Sequence, residues 1–235
     1  MKIAGSVALV TGANRGLGRA FARALVERGA HTVYAGARDP GSITDPGVIP
    51  IKLDITDPAE VADVAGRLGD VNLLVNNAGV SRSASLLNAD SLDPARAEIE
   101  TNYFGTLSLS RAFAPVLARN GGGALVNMLS VLSFMTLPQV GSYSASKAAA
   151  WSLTNALRLE LAAQGTLVVA VHAGFIDTDM AAAVQLPKIA PEDVAAQTFD
   201  AVEAEQYEVL ADHHSRDAKA ALSAGVEVLY PALRR

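Results

Sequence analysis

Short apolar runs alternate along the chain with segments of helical spacing, and this alternation limits the fold more than any one motif does. Ser6-Val7-Ala8-Leu9-Val10 opens the series, and after a glycine turn Leu17, Ala20, Phe21, Ala24 and Leu25 recur at helical intervals until Gly29. His31 to Ala35 predicts a second strand. The turn-rich stretch between it and Val48-Ile49-Pro50-Ile51-Lys52-Leu53 is too short for a full crossover helix. In Asp57-Pro58-Ala59-Glu60 an Asp cap, a Pro at the first helical position and a Glu at the third predict a helix running to Leu68. Beyond the strand Val71 to Val75, Asp93-Pro94 caps a long helix that reaches Arg119 with a bend at Pro115. Gly121-Gly122-Gly123 turns into the apolar run Ala124 to Leu129, and a helix extends from Tyr143 to about Ala163. Leu167 to Val171, Pro191 to Ala204 and Glu208 to Leu210 complete the pattern as strand, helix and short strand. Strands that are apolar throughout suit a parallel sheet covered on both faces. The expected fold class is α/β, a doubly wound parallel sheet, and 235 residues of which 50% are hydrophobic suit a single domain over 1–235.

Composition removes several classes of function. A net charge of -5, a pI near 5.4 and the absence of any Lys/Arg run argue against nucleic acid or an anionic membrane as partner. The lack of Cys excludes disulfides, thiol catalysis and cysteine metal sites, and is compatible with a cytoplasmic location. His31, His172, His213 and His214 lack metal-ligand spacing, so no metal is expected. Met1 to Gly5 leads straight into a strand, and no apolar stretch approaches the roughly 20 residues of a membrane span, so the chain reads as soluble and untargeted.

Chemistry concentrates between Ser130 and Lys147. Tyr143 and Lys147 lie four apart at a helix start, so a phenol and an ammonium leave one face about one turn apart. A nearby cation favours phenolate and is expected to bring the phenol pKa, ~10 in water, toward working pH. Tyr143 can then exchange a proton with a substrate oxygen. Ser130 ends a buried strand, where its hydroxyl can hold the same oxygen. The bland alternative is a helix start with chance polar neighbours.

Between the first strand and first helix stands Thr11-Gly12-Ala13-Asn14-Arg15-Gly16-Leu17-Gly18. Glycines there admit a pyrophosphate to the backbone and a helix start offers free N–H groups, which makes Gly12, Asn14, Arg15, Gly16, Leu17 and Gly18 cofactor candidates. The spacing is not Gly-x-Gly-x-x-Gly, and a plain glycine turn is the alternative. An acidic residue about 20 positions on would bind the 2′-hydroxyl of NAD, but Ala37-Arg38 stands there. Arg38 and Arg15 suit a 2′-phosphate gripped through paired hydrogen bonds, so NADP(H) is favoured over NAD(H). Asp39, expected to point away as a salt-bridged surface residue, keeps NAD open. Asp54 ends the third strand and is placed to accept from an adenine amino group, with Ile55 after it also assigned to the cofactor; a cap for the next turn is the alternative for Asp54.

Taken together, the turn from Thr11 to Gly18, Asn76-Asn77-Ala78-Gly79, Asn102, Ser130 and the pair Tyr143 and Lys147 resemble the short-chain dehydrogenase/reductase family, in its order and approximate spacing, over about Ser6 to Ala211. The resemblance implies a Rossmann fold and a catalytic tetrad of Asn102, Ser130, Tyr143 and Lys147. Lys147 would hold the nicotinamide ribose and lower the phenol pKa, Tyr143 would act as acid or base, Ser130 would position the carbonyl, and Asn102 would support a proton-relaying water. Asn76, Ala78 and Gly79 would border the cofactor, while Gly174, Ile176 and Thr178 would close over the nicotinamide. Ala173 stands where the family usually has Pro, which predicts altered cofactor affinity with the chemistry kept. His172 beside it reads as a packed strand-end residue. The family also often pairs the helices of Asn102 and Tyr143 across a two-fold, and this chain lacks the terminal Asp-Gly-Gly pattern of many tetramers; a homodimer is the expectation.

The expected reaction moves a hydride between NADP(H) and a carbonyl or secondary alcohol, with Tyr143 handling the proton. Leu132, Phe134, Met135, Leu137 and Val140 are expected to wall the pocket, and 180–190 to fold over it as a lid, which favours a hydrophobic ketone or aldehyde. Arg82 reads as a solvated charge and Trp151 as a packing residue. The competing class is a dinucleotide-binding redox sensor without turnover.

Overall fold

The computed structural model describes residues 1–82 and 84–233. Its strands are β1 (Val7–Thr11), β2 (Thr32–Ala37), β3 (Ile49–Lys52), β4 (Leu73–Asn76), β5 (Ala124–Met128), β6 (Leu167–His172) and β7 (Glu208–Leu210). They lie parallel in one sheet, in the order β3-β2-β1-β4-β5-β6-β7, and the order reverses between β1 and β4. Along β1, Ala8 and Val10 enter one core and Leu9 the other, because successive side chains of a strand point to opposite faces. Both faces are covered, which is why the strands read as unbroken apolar runs.

On one face lie α1 (Gly16–Glu27) and α6 (Pro191–Glu203), locked by an edge-to-face pair of Phe21 and Phe199 with centroids 5.7 Å apart. The other carries α2 (Pro58–Arg67), α4 (Thr106–Arg119) and α5 (Gly141–Leu161). Asp57 caps α2 as its sequence predicts, accepting from the N–H groups of Ala59 and Glu60. The β2 to β3 crossover contains only a short 3-10 turn, Pro40–Ser42.

Two expectations change. The long helix begins at Asp93 itself, as α3 (Asp93–Ile99), and its irregularity lies in a π-helical segment, Glu100–Gly105, that joins α3 to α4, while Pro115 sits inside α4. A π segment has no compositional signature, whereas a mid-helix Pro does, so the sequence points to the wrong residue. The chain also continues past β7 into α7 (His213–Ala221) and α8 (Val226–Leu229). The polar run His-His-Ser-Arg-Asp in α7 carries no apolar stripe to announce a helix. Among the described residues no helix is long and apolar enough to cross a membrane.

Candidate active site

The loops leaving β1, β4, β5 and β6 converge at the carboxyl end of the sheet, beside the reversal of strand order, where open α/β sheets form their crevice. Thr11 joins the first two of these loops. Its hydroxyl donates to the Val75 carbonyl at 3.3 Å and accepts from the N–H groups of Asn77 and Ala78, both at 3.0 Å. Asn77 returns the tie by donating to the Thr11 carbonyl at 2.9 Å. The role of Thr11 is not apparent from the sequence; a Thr at a strand end, one sheet position from an Asn-Asn pair, is its signal.

The glycine turn is shaped to bring backbone close to a ligand. A Cβ on Gly18 would lie 2.1 Å from the Gly12 carbonyl oxygen, and Gly16, at φ +50°, abuts Thr178. No side chain caps α1 and no acidic residue occupies its first turn, so the helix start presents uncapped N–H groups and its positive dipole end to the crevice. These features fit the pyrophosphate of a dinucleotide. Leu17 is buried and would take part through its backbone, and Asn14 is partly exposed. Arg38 is exposed, and Arg15 pairs with Asp179 at 3.0 Å, both side chains largely in solvent. Asp39 departs from expectation: instead of forming a salt bridge it caps the turn after β2, accepting from Gly41 N–H at 3.0 Å. The adjacent Pro-Gly-Ser turn offers that N–H without fixing a long partner side chain.

Asp54 caps the turn after β3 through Oδ1, which accepts from the N–H and hydroxyl of Thr56 at 2.9 and 2.7 Å. Burial alone would raise its pKa; the bonds from Thr56 and the charge of Arg38 outweigh it and hold the carboxylate below its usual range. Ile55 turns into the core, where a Cβ on Gly105 would come within 2.7 Å of it. Asn76 is likewise committed inside, donating to Ser110 at 3.2 Å and Asn127 at 2.9 Å. Any cofactor contact of Ile55 or Asn76 would therefore be through backbone. Ala78 lies within contact of Gly12, and Gly79 within contact of Asn102 and Lys147.

Asn102 is buried in the π segment. Its Oδ1 accepts from Val80 N–H, and its Nδ2 donates to the Val80 carbonyl and the Ser146 hydroxyl, each at 2.9 Å. Ser146 in turn donates to the Tyr143 carbonyl at 2.7 Å, so the loop after β4, the π segment and the start of α5 form one unit. Ser146 is a positioning residue that the sequence does not single out.

Tyr143 and Lys147 leave one face of α5, with Nζ 5.8 Å from the phenol ring centroid. Lys147 donates to the Met128 carbonyl at 2.9 Å. The phenol lies within hydrogen-bonding reach of Ser130, whose Oγ also accepts from Leu132 N–H at 3.1 Å. The expected fall in the Tyr143 pKa is overturned: although part of the residue remains exposed, burial of the phenol pushes it up to about 12. The Ser130 bond works the other way and the buried Glu98 carboxylate adds to the rise. Burial also lowers Lys147 to about 8. The surrounding protein penalises both charges more than the two groups stabilise each other.

After β6, the Ala173 carbonyl accepts from Val131 N–H at 2.8 Å, and Gly174 N–H donates to Asp212 at 2.6 Å, so this turn is held without a Pro. Ile176 packs on the core and bridges to Ile189. Paired bonds of 2.9 Å from Asp177 N–H to the Ile189 carbonyl and from Ile189 N–H to the Phe175 carbonyl close the neck of the loop between them. Met180 and Leu186 stand exposed at its tip, 60% and 56%. Of the expected pocket wall, Leu132, Met135 and Val140 are partly covered and Leu137 is exposed. Phe134 is buried instead, stacked on His172 and edge-on to Trp151. An apolar loop residue between two reactive ones can face either core or cleft, and only tertiary packing decides.

This geometry is shared with known proteins. A profile of the family described as short chain dehydrogenase matches residues 6–188. A short chain dehydrogenase from Burkholderia cenocepacia, solved in complex with NADP, superposes with a TM-score of 0.95 at 44% identity, covering 100% of both chains. A short chain dehydrogenase/reductase from Burkholderia phymatum, in complex with NAD, gives a TM-score of 0.83 at 26% identity over 95% of this chain and 92% of that one. The 3-oxoacyl-(acyl-carrier-protein) reductase FabG of Salmonella typhimurium is 34% identical over 189 residues, 77% of either chain. The chain belongs to the short-chain dehydrogenase/reductase family. It is an oxidoreductase of the hydride-transferring kind that uses a nicotinamide dinucleotide.

Proposed function

We propose that the protein is an NADP(H)-dependent carbonyl reductase and secondary-alcohol dehydrogenase acting on hydrophobic ketones or aldehydes. The observation that carries the reading is the meeting of the Tyr143 phenol, the Ser130 hydroxyl and the Lys147 ammonium beside Gly79 and the glycine turn. When bound, the dinucleotide supplies hydride exchange with the substrate carbon. Tyr143, held neutral by burial, gives the proton to the carbonyl oxygen in reduction and accepts it in oxidation. Ser130 and Tyr143 donate to the oxygen as negative charge develops on it. Lys147 and Tyr143 hold the ribose, and Asn102 orders the water chain toward Lys147.

Gly12, Asn14, Gly16, Leu17 and Gly18 would hold the pyrophosphate, while Arg15 and Arg38 would take the 2′-phosphate. Asp54 would accept from the adenine amino group, Ile55, Asn76, Ala78 and Gly79 would border the cofactor, and Gly174, Ile176 and Thr178 would close over the carboxamide. Support for NADP(H) comes from the two arginines, the capped state of Asp39, and the NADP complex of the Burkholderia cenocepacia protein. Support for an apolar substrate comes from exposed Leu86, Leu137, Met180 and Leu186 on the loops after β4, β5 and β6, the loop over 180–190 acting as lid. A groove between the π segment, α4 and α5, lined by Tyr103, Leu107, Ala149, Leu153 and Ala156 together with Ser152 and Glu160, would be the surface for a homodimer.

The test follows NADPH absorbance with a panel of alkyl and aryl ketones and aldehydes, and the reverse reaction with the matching alcohols and both oxidised nicotinamides. Turnover that is faster with NADPH than with NADH supports the reading. Tight NADPH binding with no turnover of any member overturns it in favour of a redox sensor.

A further inference from the structure

His172 ends β6 with its side chain fully buried, and no step above uses it. Its Nδ1 lies 3.0 Å from the Ser130 carbonyl oxygen. A carbonyl only accepts, so Nδ1 carries the proton in this contact. Nε2 faces the Glu208 carboxylate at 3.7 Å without a hydrogen bond. Glu208 is held in turn by Lys219, whose ammonium donates to both carboxylate oxygens at 2.7 and 2.9 Å. The ring is also gripped by aromatic groups: Phe134 stacks on it at 4.2 Å between centroids, and Trp151 meets it edge-on at 6.2 Å. Lys219 then lies 5.1 and 5.2 Å from the Phe134 and Trp151 centroids, within cation–π range. A second tie reaches the same segment, since the Tyr230 phenol oxygen accepts from Thr136 N–H at 3.0 Å. Lys219 and Tyr230 both lie beyond residue 188, where the family profile ends.

We propose that His172 is a positioning residue for the reaction: its Nδ1–H anchors the Ser130 carbonyl and so fixes the direction of the Ser130 hydroxyl, while Phe134 and Trp151, covered by Lys219 of α7, hold the ring in place. This rests on the reading of Ser130 as the hydroxyl that holds the substrate oxygen. The Ser130 carbonyl has two partners, Ser133 N–H at 3.0 Å and the imidazole. With the imidazole donor removed, the Ser130–Ser133 turn keeps its local bonds and the tie from Val131 N–H to the Ala173 carbonyl, but the Ser130 carbonyl loses its own link to β6. Burial supports the neutral ring, pushing the His172 pKa down to about 4.

The test compares His172→Phe, which keeps a stacking ring without a donor, with His172→Asn, whose Nδ2 falls near the position of Nδ1. NADPH oxidation is measured with the fastest ketone or aldehyde of the panel. The Phe variant is expected to lose about tenfold in kcat with an unchanged KM for NADPH, and the Asn variant to recover to within about threefold of wild type. A Phe variant within about twofold of wild type overturns the proposal, as does a loss that Asn leaves unrepaired. Ser130→Ala separates the two readings: if it stays active, the role of Ser130 falls, whereas an inactive Ser130→Ala beside a fully active His172→Phe removes only His172. Should the variants fail to fold, nitrogen NMR of the wild-type imidazole at pH 7 still decides. A proton on Nδ1 is expected, and a proton on Nε2 overturns the proposal.

Discussion

At Tyr143 the surroundings favour a proton donor over a preformed base. With its pKa at about 12, the phenol is neutral across the physiological range, which suits it to give the proton in the proposed carbonyl reduction. Tyr143→Phe keeps the ring and removes the proton. Its kcat is expected to fall at least about a hundredfold while the dissociation constant for NADPH, read by fluorescence titration, changes little. Near-normal turnover would remove Tyr143 from the chemistry. Arg38 invites a different measurement, because its guanidinium is exposed and acts on the fold only through its charge beside Asp54, while the proposed function gives it the 2′-phosphate. A charged hydrogen bond contributes about 1.5–3 kcal/mol, so Arg38→Asp is expected to lower the NADPH to NADH ratio of kcat/KM by about ten- to a hundredfold. An unchanged ratio would leave the 2′-phosphate without its main partner.

At the scale of elements, what the sequence announces and what it hides divide along physical lines. Strands buried on both faces announce themselves by composition, and Tyr143 and Lys147 by helical spacing, so the sheet and this pair of side chains are legible. Phe134 is hidden because its loop gives no period from which to choose a side. Asn102 is legible only through family resemblance, since the π segment that turns it inward leaves no trace in composition. The turn after β6 carries its own prediction. Ala173 is buried and its carbonyl is bonded, but among the described residues its N–H donates to nothing. His172 before it lies in a strand, the backbone that a following Pro requires. Ala173→Pro is therefore expected to raise stability by about 0.4–1 kcal/mol by narrowing the unfolded ensemble, and to tighten NADPH binding. Thermal melting and titration measure both, and a lowered melting temperature would show that the turn needs a φ that Pro cannot take.

For the whole molecule, the buried groups of the site tie stability to pH with differing signs. His172 has a pKa of about 4 against an ordinary value of 6.5, so the unfolded chain binds a proton that the fold refuses. Its contribution is complete above pH 6.5 and is lost as pH falls toward 4. Lys147, lowered from 10.5 to about 8, also binds its proton more weakly in the fold, and stability rises as pH climbs between those values. Tyr143 reverses the sign: it stabilises below pH 10, and that contribution is lost as pH climbs to about 12. Lys147→Met tests the middle window. At pH 7 the lowered pKa puts the net cost of the buried ammonium, its bond to the Met128 carbonyl included, on the order of 2–3 kcal/mol. The variant is thus expected to be more stable than wild type by about 2 kcal/mol in urea unfolding at pH 7, with the advantage gone near pH 10.5. A variant less stable at pH 7 would mean that the fold welcomes the cation. The same substitution removes the amine that the proposed reaction uses, so a more stable variant without turnover would set that role of Lys147 against its cost to the fold.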